Sequence, residues 1–211
     1  MTLYSYIVTH DTGFAPNPFF GYCTLACCKP GIRKHAKKGD WIVGLTPLAK
    51  GVGNKIVYFM EVDESLSFDD YWRDPRFKQK RPKLDAGSAR RSGDNIYKPL
   101  PNGDHYQLPS AHSKPKFSDG QNAETKCRDV CRGERVLISR NFVYYGSKAK
   151  ELPRELARLK VGRSYRCHFL LEVQEAFRKF VSRQRNFGMI SRPHDWRSDD
   201  GSWKGSDCGK S

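Results

Sequence analysis

Apolar positions along this chain fall into short runs, mostly under nine residues, separated by stretches rich in Gly, Pro, Asn and Asp. Two runs, Asp40 to Gly44 and Lys55 to Val62, are dominated by β-branched and aromatic residues, and Gly51, Gly53 and Asn54 lie between them. This pattern predicts two antiparallel strands. Ser67 followed by Asp70 is a helix-start signal and Asp74-Pro75 a stop, so Phe68 to Trp72 reads as one helical turn closing the end of a barrel. Leu3 to Thr9 reads as a first strand that delivers His10 and Asp11 to its end. Pro30 at a first helical position and Gly39 as a cap predict a helix from Pro30 to Lys38, with Arg33, Lys34, Lys37 and Lys38 forming a basic surface.

The second half repeats these signals more sparsely. Glu134 to Tyr145 carries one or two strands, Pro153 to Leu159 a short helix, and Ser164 to Val173 another strand. Val173, Ala176, Phe177, Phe180 and Val181 then recur at helical spacing, with Arg178, Lys179, Arg183 and Arg185 mostly opposite. Between the halves, residues 78–133 are polar and rich in Pro, Gly, Ser and Asp, the character of a long insertion or lid. Residues 191–211 read as a disordered basic tail. The expected architecture is one α+β domain over residues 1–190: a small mixed β-barrel with short helices and a long polar insertion.

Charge narrows the partner. The chain has 211 residues and a net charge of +15, from 38 Lys and Arg against 23 Asp and Glu, which favours a polyanion, nucleic acid first. No twenty-residue apolar run exists and the start lacks a signal-peptide layout, so the expectation is a cytoplasmic protein without a membrane partner, its seven cysteines reduced. Cys23 and Cys27 share the C-x3-C spacing of Cys127 and Cys131, which permits tetrahedral zinc, but Cys28 interrupts one pair and small buried thiols are the commoner role. No metal and no cofactor are assigned. Glu124-x-Lys126, downstream of Asp94 and Asp104, has a loose nuclease-like look that chance explains in so charged a chain. P-loop, dinucleotide, deaminase and nucleophile-elbow motifs are missing, which argues against ATP-driven and hydride chemistry.

Two sets of residues carry the candidate chemistry. As acid or base, His10, Asp11, Asp94 and His112 stand at a strand end or in the insertion. For a base drawn from nucleic acid, Phe14, Asn17, Phe19, Lys29, Arg33, Asp94, Asn95 and Tyr97 combine rings that stack, amides and carboxylates that read an edge, and cations that hold phosphate. The loop from Gly13 to Arg33 and the loop from Gly93 to Tyr97 are expected to face each other across a cleft.

The segments DTGFAPNPFFGYCTLACCKPGIR, KKGDWIVG, YFMEVDESLSFDDYWRDPRF, SGDNIY and ERVLISRNFVYYG together resemble the nucleotide modification associated domain 2 family of bacteria and their phages. The GDW-strand-strand portion is also similar to the wider EVE, ASCH and PUA-like group, whose small barrels hold a modified or flipped base. These resemblances imply recognition of a modified nucleobase in DNA, linked to base modification or phage–host defence. The alternative they leave open is an enzyme of base or nucleotide modification, a transferase or a glycosidic-bond hydrolase.

Overall fold

The computed structural model describes residues 1–48, 54–110, 121–162 and 164–196. Its strands are β1 (Leu3–Ile7), β2 (Cys23–Leu25), β3 (Trp41–Leu45), β4 (Lys55–Glu61), β5 (Glu64–Leu66), β6 (Tyr97–Pro99), β7 (His105–Gln107), β8 (Val136–Ser139), β9 (Phe142–Tyr144), β10 (Lys150–Glu151), β11 (Tyr165–Arg166) and β12 (Gly188–Met189). The helices are α1 (Pro30–His35), α2 (Phe68–Arg73), α3 (Ser88–Arg91), α4 (Ala123–Lys126) and α5 (Leu171–Ser182).

The expected antiparallel pair is present: β3 and β4 match Trp41 with Glu61 and Val43 with Phe59. Around it grows a mixed sheet in the order β11-β1-β3-β4-β9-β12, with β10 also pairing β4 and β1 running parallel to β3. A second sheet has the order β2-β8-β5, and β6 and β7 form a hairpin. Among the described residues no sheet closes on itself, so the expected barrel is replaced by stacked sheets. The reason lies in the side chains of the large sheet, which are buried on both faces. Tyr6, Ile42, Tyr58, Met60 and Tyr144 pack towards β2, β8 and α1, whereas Trp41, Val43, Phe59 and Val143 pack towards α5. Burial on two sides gives continuous apolar runs rather than strict alternation. Gly44 is required at one crossing, because a Cβ there would lie 2.3 Å from the Tyr58 ring.

The layers beyond are equally specific. Val173, Phe177 and Phe180 of α5 join Leu156 and Leu159, from a tight 3-10 turn over Arg154–Leu159, in covering the outer face of the large sheet. On the far side of the small sheet, Val136, Ile138, Ala26 and Cys27 meet Phe68 and Tyr71 of α2, with Phe77, Ile96 and Tyr97. Ser67 caps α2 as expected, its hydroxyl accepting from the Asp70 amide at 3.0 Å.

Several boundaries differ from expectation, each for a local reason. The helix α1 stops at His35 because the chain turns at Lys37, whose amide donates to the Asp40 carboxylate at 2.9 Å, and Gly39 takes φ +84. The strand expected from Ser164 to Val173 is only β11, since pairing with β1 extends to Ser5 and Tyr6 alone. Within residues 78–133, Lys80, Asp94, Asn95, Ile96 and Tyr97 are buried, Ile96 and Tyr97 packing with Phe68 and Tyr71 of α2. Of the expected tail, residues 191–196 are ordered along the protein, and residues 197–211 lie outside the described residues. No helix among the described residues is long and apolar enough to cross a membrane.

The ring of Phe177 lies 5.6 Å from Trp41 and 5.9 Å from Phe59, and is fully buried. Phe177→Ala is expected to destabilise the whole domain by about 3–5 kcal/mol in urea unfolding with a single transition. A loss below about 1 kcal/mol would mean that α5 is an appendage to the core.

Candidate nucleic-acid interface

The two loops expected to face each other do meet, through buried contacts. Lys80, fully buried, uses its three ammonium protons on the Asn17 carbonyl at 3.0 Å, the Asn17 side-chain oxygen at 2.6 Å and the Tyr22 carbonyl at 3.0 Å. The Asn17 amide in turn donates to the Ser92 carbonyl at 2.9 Å. Asp94 accepts from the Thr24 hydroxyl at 2.6 Å and the Tyr71 phenol at 2.8 Å. Burial lowers the Lys80 pKa to about 8, with the Asp94 charge opposing the shift, and burial raises that of Asp94 while Lys80 opposes it. Each group therefore offsets the desolvation of the other. Asn95 spends its side-chain amide on the carbonyls of Tyr71 at 3.1 Å and Phe77 at 3.3 Å.

A second knot takes Arg33 and Tyr97. The guanidinium of Arg33 is fully buried and donates to the carbonyls of Cys28 at 2.7 Å, Arg135 at 2.7 Å and Asp129 at 2.9 Å. The Asp129 carboxylate also accepts from the Tyr97 phenol at 2.9 Å and the Cys28 amide at 2.8 Å. Asn17, Arg33, Asp94, Asn95 and Tyr97 are thus buried and engaged in hydrogen bonds within the folded chain. Phe14 belongs to the third core cluster with Phe68 and Phe77. Lys29 stands apart, half-buried, with its ammonium 5.0 Å from the centre of the Tyr6 ring.

What remains is the end of β1. Asp11 is buried and accepts hydrogen bonds from the Tyr144 phenol and from the His194 amide, the latter at 2.9 Å. Burial raises its pKa from the usual carboxylate range to about 6, against the pull of those two hydrogen bonds. Beside it, His10 has its Nδ1 4.0 Å from the Asp195 carboxylate. Phe19 stacks on the indole of Trp196, ring centres 5.4 Å apart and planes 16° from parallel. The carboxyl-terminal strap holds this arrangement: β12 pairs parallel with β9, and the Arg192 carbonyl accepts from Ser147 at 2.8 Å. His112 lies outside the described residues.

The arrangement sets a carboxylate with a raised pKa beside a stacked pair of rings, Phe19 and Trp196. Sequence reasoning missed Tyr144, His194 and Trp196. The doubled tyrosine in FVYY, placing hydroxyls in a core strand, was the one available signal for the first. Metal chemistry has no support from clustering, since no three His, Cys, Asp or Glu residues among those described stand close enough to hold an ion.

Surface charge completes the geometry. In the first two thirds of the chain many cations are paired, as in Lys34 with Glu134 at 2.5 Å, Arg76 with Glu64 and Asp74 at 2.6 Å, and Lys126 with Asp104 at 2.9 Å. The layer that covers the outer face of the large sheet carries a dense set of cations. Arg154, Arg158, Lys160, Arg166, Arg178, Lys179, Arg183 and Arg185 are exposed, and none of them has an ion pair among the described residues.

Stacked mixed sheets, a buried carboxylate at the end of β1 and a layer of exposed cations without ion pairs are the features of this α+β domain. The model of the nucleotide modification associated domain 2 family matches residues 1–200, and the chain belongs to that family. No curated protein and no solved structure matches it.

Two measurements check these assignments. Asn95→Ala removes donors to two buried carbonyls and is expected to cost about 1–3 kcal/mol of stability in thermal or urea unfolding, with nucleic-acid affinity unchanged. For Asp11 the folded-state pKa exceeds the unfolded value, so the folded protein holds the proton more tightly and stability falls as pH rises from about 4 through about 6. Asp11→Asn is expected to remove that component, so that its stability relative to the wild type improves across this window. A stability difference that is flat with pH would show that Asp11 is not held neutral by burial.

Proposed function

We propose that the protein binds nucleic acid and recognises a modified base in DNA, in keeping with a family tied by name to nucleotide modification. The observation that carries this reading is the layer of exposed cations without ion pairs. Buried Arg33, by contrast, is paired with Asp129 at 3.3 Å, because a cation withdrawn from water needs a counter-charge. The cations of α5 and of the 154–166 segment are solvated and outnumber the carboxylates of the same segments, Glu155, Glu172 and Glu175, an excess that a phosphate backbone relieves by releasing its own counterions. Rings lie among them: the Lys150 ammonium is 5.4 Å from the centre of Phe180, and the Arg166 guanidinium 5.4 Å from that of Phe169. Such rings hold the long side chains along the surface with their charged ends outward.

One observation favours a second reading, an enzyme acting on a base or nucleotide. Asp11, with a pKa of about 6 and the Tyr144 phenol in contact, has the properties of a general base or acid. Nucleoside mass spectrometry of DNA incubated with the protein separates the two, since a reader leaves the base inventory unchanged.

The binding test is fluorescence anisotropy with modified and plain duplexes across a salt series. The logarithm of affinity is expected to fall steeply and linearly with the logarithm of salt concentration, each phosphate contact adding about 0.9 to the slope. Arg178→Glu with Lys179→Glu should flatten that slope by about 2 while leaving any preference between bases in place. Absent or salt-independent binding would overturn the proposal.

A further inference from the structure

The strap and the turn at the end of β1 are joined by three hydrogen bonds, and in every one the acceptor lies on the turn. The His194 amide donates to the Asp11 carboxylate at 2.9 Å, the Asp195 amide to the Asp11 carbonyl at 3.0 Å, and the Trp196 indole N–H to the Thr12 carbonyl at 2.9 Å. The same indole lies flat on Phe19, which is only 6 % exposed beneath it. A planar bicyclic ring, stacked by one face and directing a ring N–H at a backbone carbonyl, has the contacts of a purine in a binding slot. Glycine is needed at the back of this slot: a Cβ on Gly13, at φ +72, would stand 2.8 Å from both Phe19 and Pro193.

The polarity of the turn selects among bases. The three atoms that His194, Asp195 and Trp196 bond are all acceptors, a carboxylate oxygen and two carbonyls in succession, the Thr12 carbonyl also accepting from the Ser92 hydroxyl at 3.1 Å. Adenine presents its amino donor next to an acceptor nitrogen, which would leave one lone pair facing another. Guanine presents an N1–H beside a 2-amino group, two adjacent donors that match a carboxylate flanked by carbonyls. We propose that Phe19, Asp11 and the Thr12 carbonyl form a slot for a guanine-type base, a purine with N1–H and a 2-amino group, and that Trp196 fills this slot until such a base displaces it. The inference names the class of base for the nucleic-acid reading above, yet the slot is defined for a mononucleotide by itself.

Displacement requires little rearrangement. The strap is secured up to Arg192 by bonds to the β9 side, from the Ile190 amide to the Tyr144 carbonyl and from Ser147 to the Arg192 carbonyl, both at 2.8 Å. Only residues beyond that point have to swing away. Because the indole competes for the slot, the wild-type affinity is reduced by the fraction of molecules in which it is occupied.

The test is calorimetric titration of the full chain with GMP, IMP and AMP, which carry the same phosphate and differ at the base edge. Trp196→Ala should bind GMP at least tenfold more tightly than the wild type does, with IMP about tenfold weaker than GMP and AMP weaker again. Trp196→Phe, which keeps a ring on Phe19, should stay near the wild type, and Phe19→Ala combined with Trp196→Ala should lose the gain. The Trp196→Ala protein is checked by thermal melting, and its duplex affinity and salt slope are measured in parallel. Equal GMP affinity in Trp196→Ala and wild type, or AMP binding as tight as GMP, overturns the slot even where the salt-dependent DNA binding persists. Tight GMP binding without DNA binding supports the slot and removes the nucleic-acid reading instead.

Discussion

The structure depends on the burial of one ammonium group. Lys80 sits where no water reaches it, with three acceptors at hydrogen-bonding distance and the Asp94 carboxylate near enough to oppose its loss of charge. A lysine in that position is tolerated only if every proton has a partner. Meeting that condition draws the 17–22 loop, the turn after α2 and the 92–95 segment to one point. Arg33 imposes the same demand a layer away, gathering Cys28, Asp129 and Arg135 around a second buried cation. The domain is therefore cross-linked through polar knots set against its third hydrophobic cluster, where Tyr71 and Tyr97 bond Asp94 and Asp129.

These knots explain what could and could not be read from the chain. The pair β3 and β4, the capped turn of α2, the first strand and the amphipathic α5 all follow from local pattern, and the structure contains them. The site residues are a different case. Asn17, Arg33, Asp94, Asn95 and Tyr97 have the side-chain types of a nucleic-acid site, but the same donors and acceptors serve equally well to satisfy buried polar groups. What decides between these roles is whether a partner lies across the fold, Arg33 with Asp129 or Thr24 with Asp94, and such partners are distant in sequence. Asp11 could be picked out because it ends a strand; the groups that give it its character, Tyr144 and His194, arrive from more than a hundred positions away.

The charge of the chain can now be divided. One part is structural and locked in pairs; another is spread over the layer formed by α5 and the 154–166 segment, above the aromatic cluster of Trp41, Phe59, Phe177 and Phe180. That cluster fixes the backbone of the layer rigidly while leaving its long basic side chains free to adjust to a partner. The end of β1 lies elsewhere, under the strap, where Tyr144 of a different core cluster meets Asp11.

The order of the small sheet has a consequence for how the chain comes together. Its centre is β8, which pairs Ile138 with Thr24 on one side and with Glu64 on the other. Both outer strands are made long before the central one, so during synthesis β2 and β5 have no mutual contact and each presents bare amides and carbonyls. Closing such distant pairings is slow, and unpaired strand edges are sticky in the interval. The ribosome must deliver residues 136–139 before either strand gains its sheet partner, which makes this short segment the latch for assembly of the first two thirds of the protein.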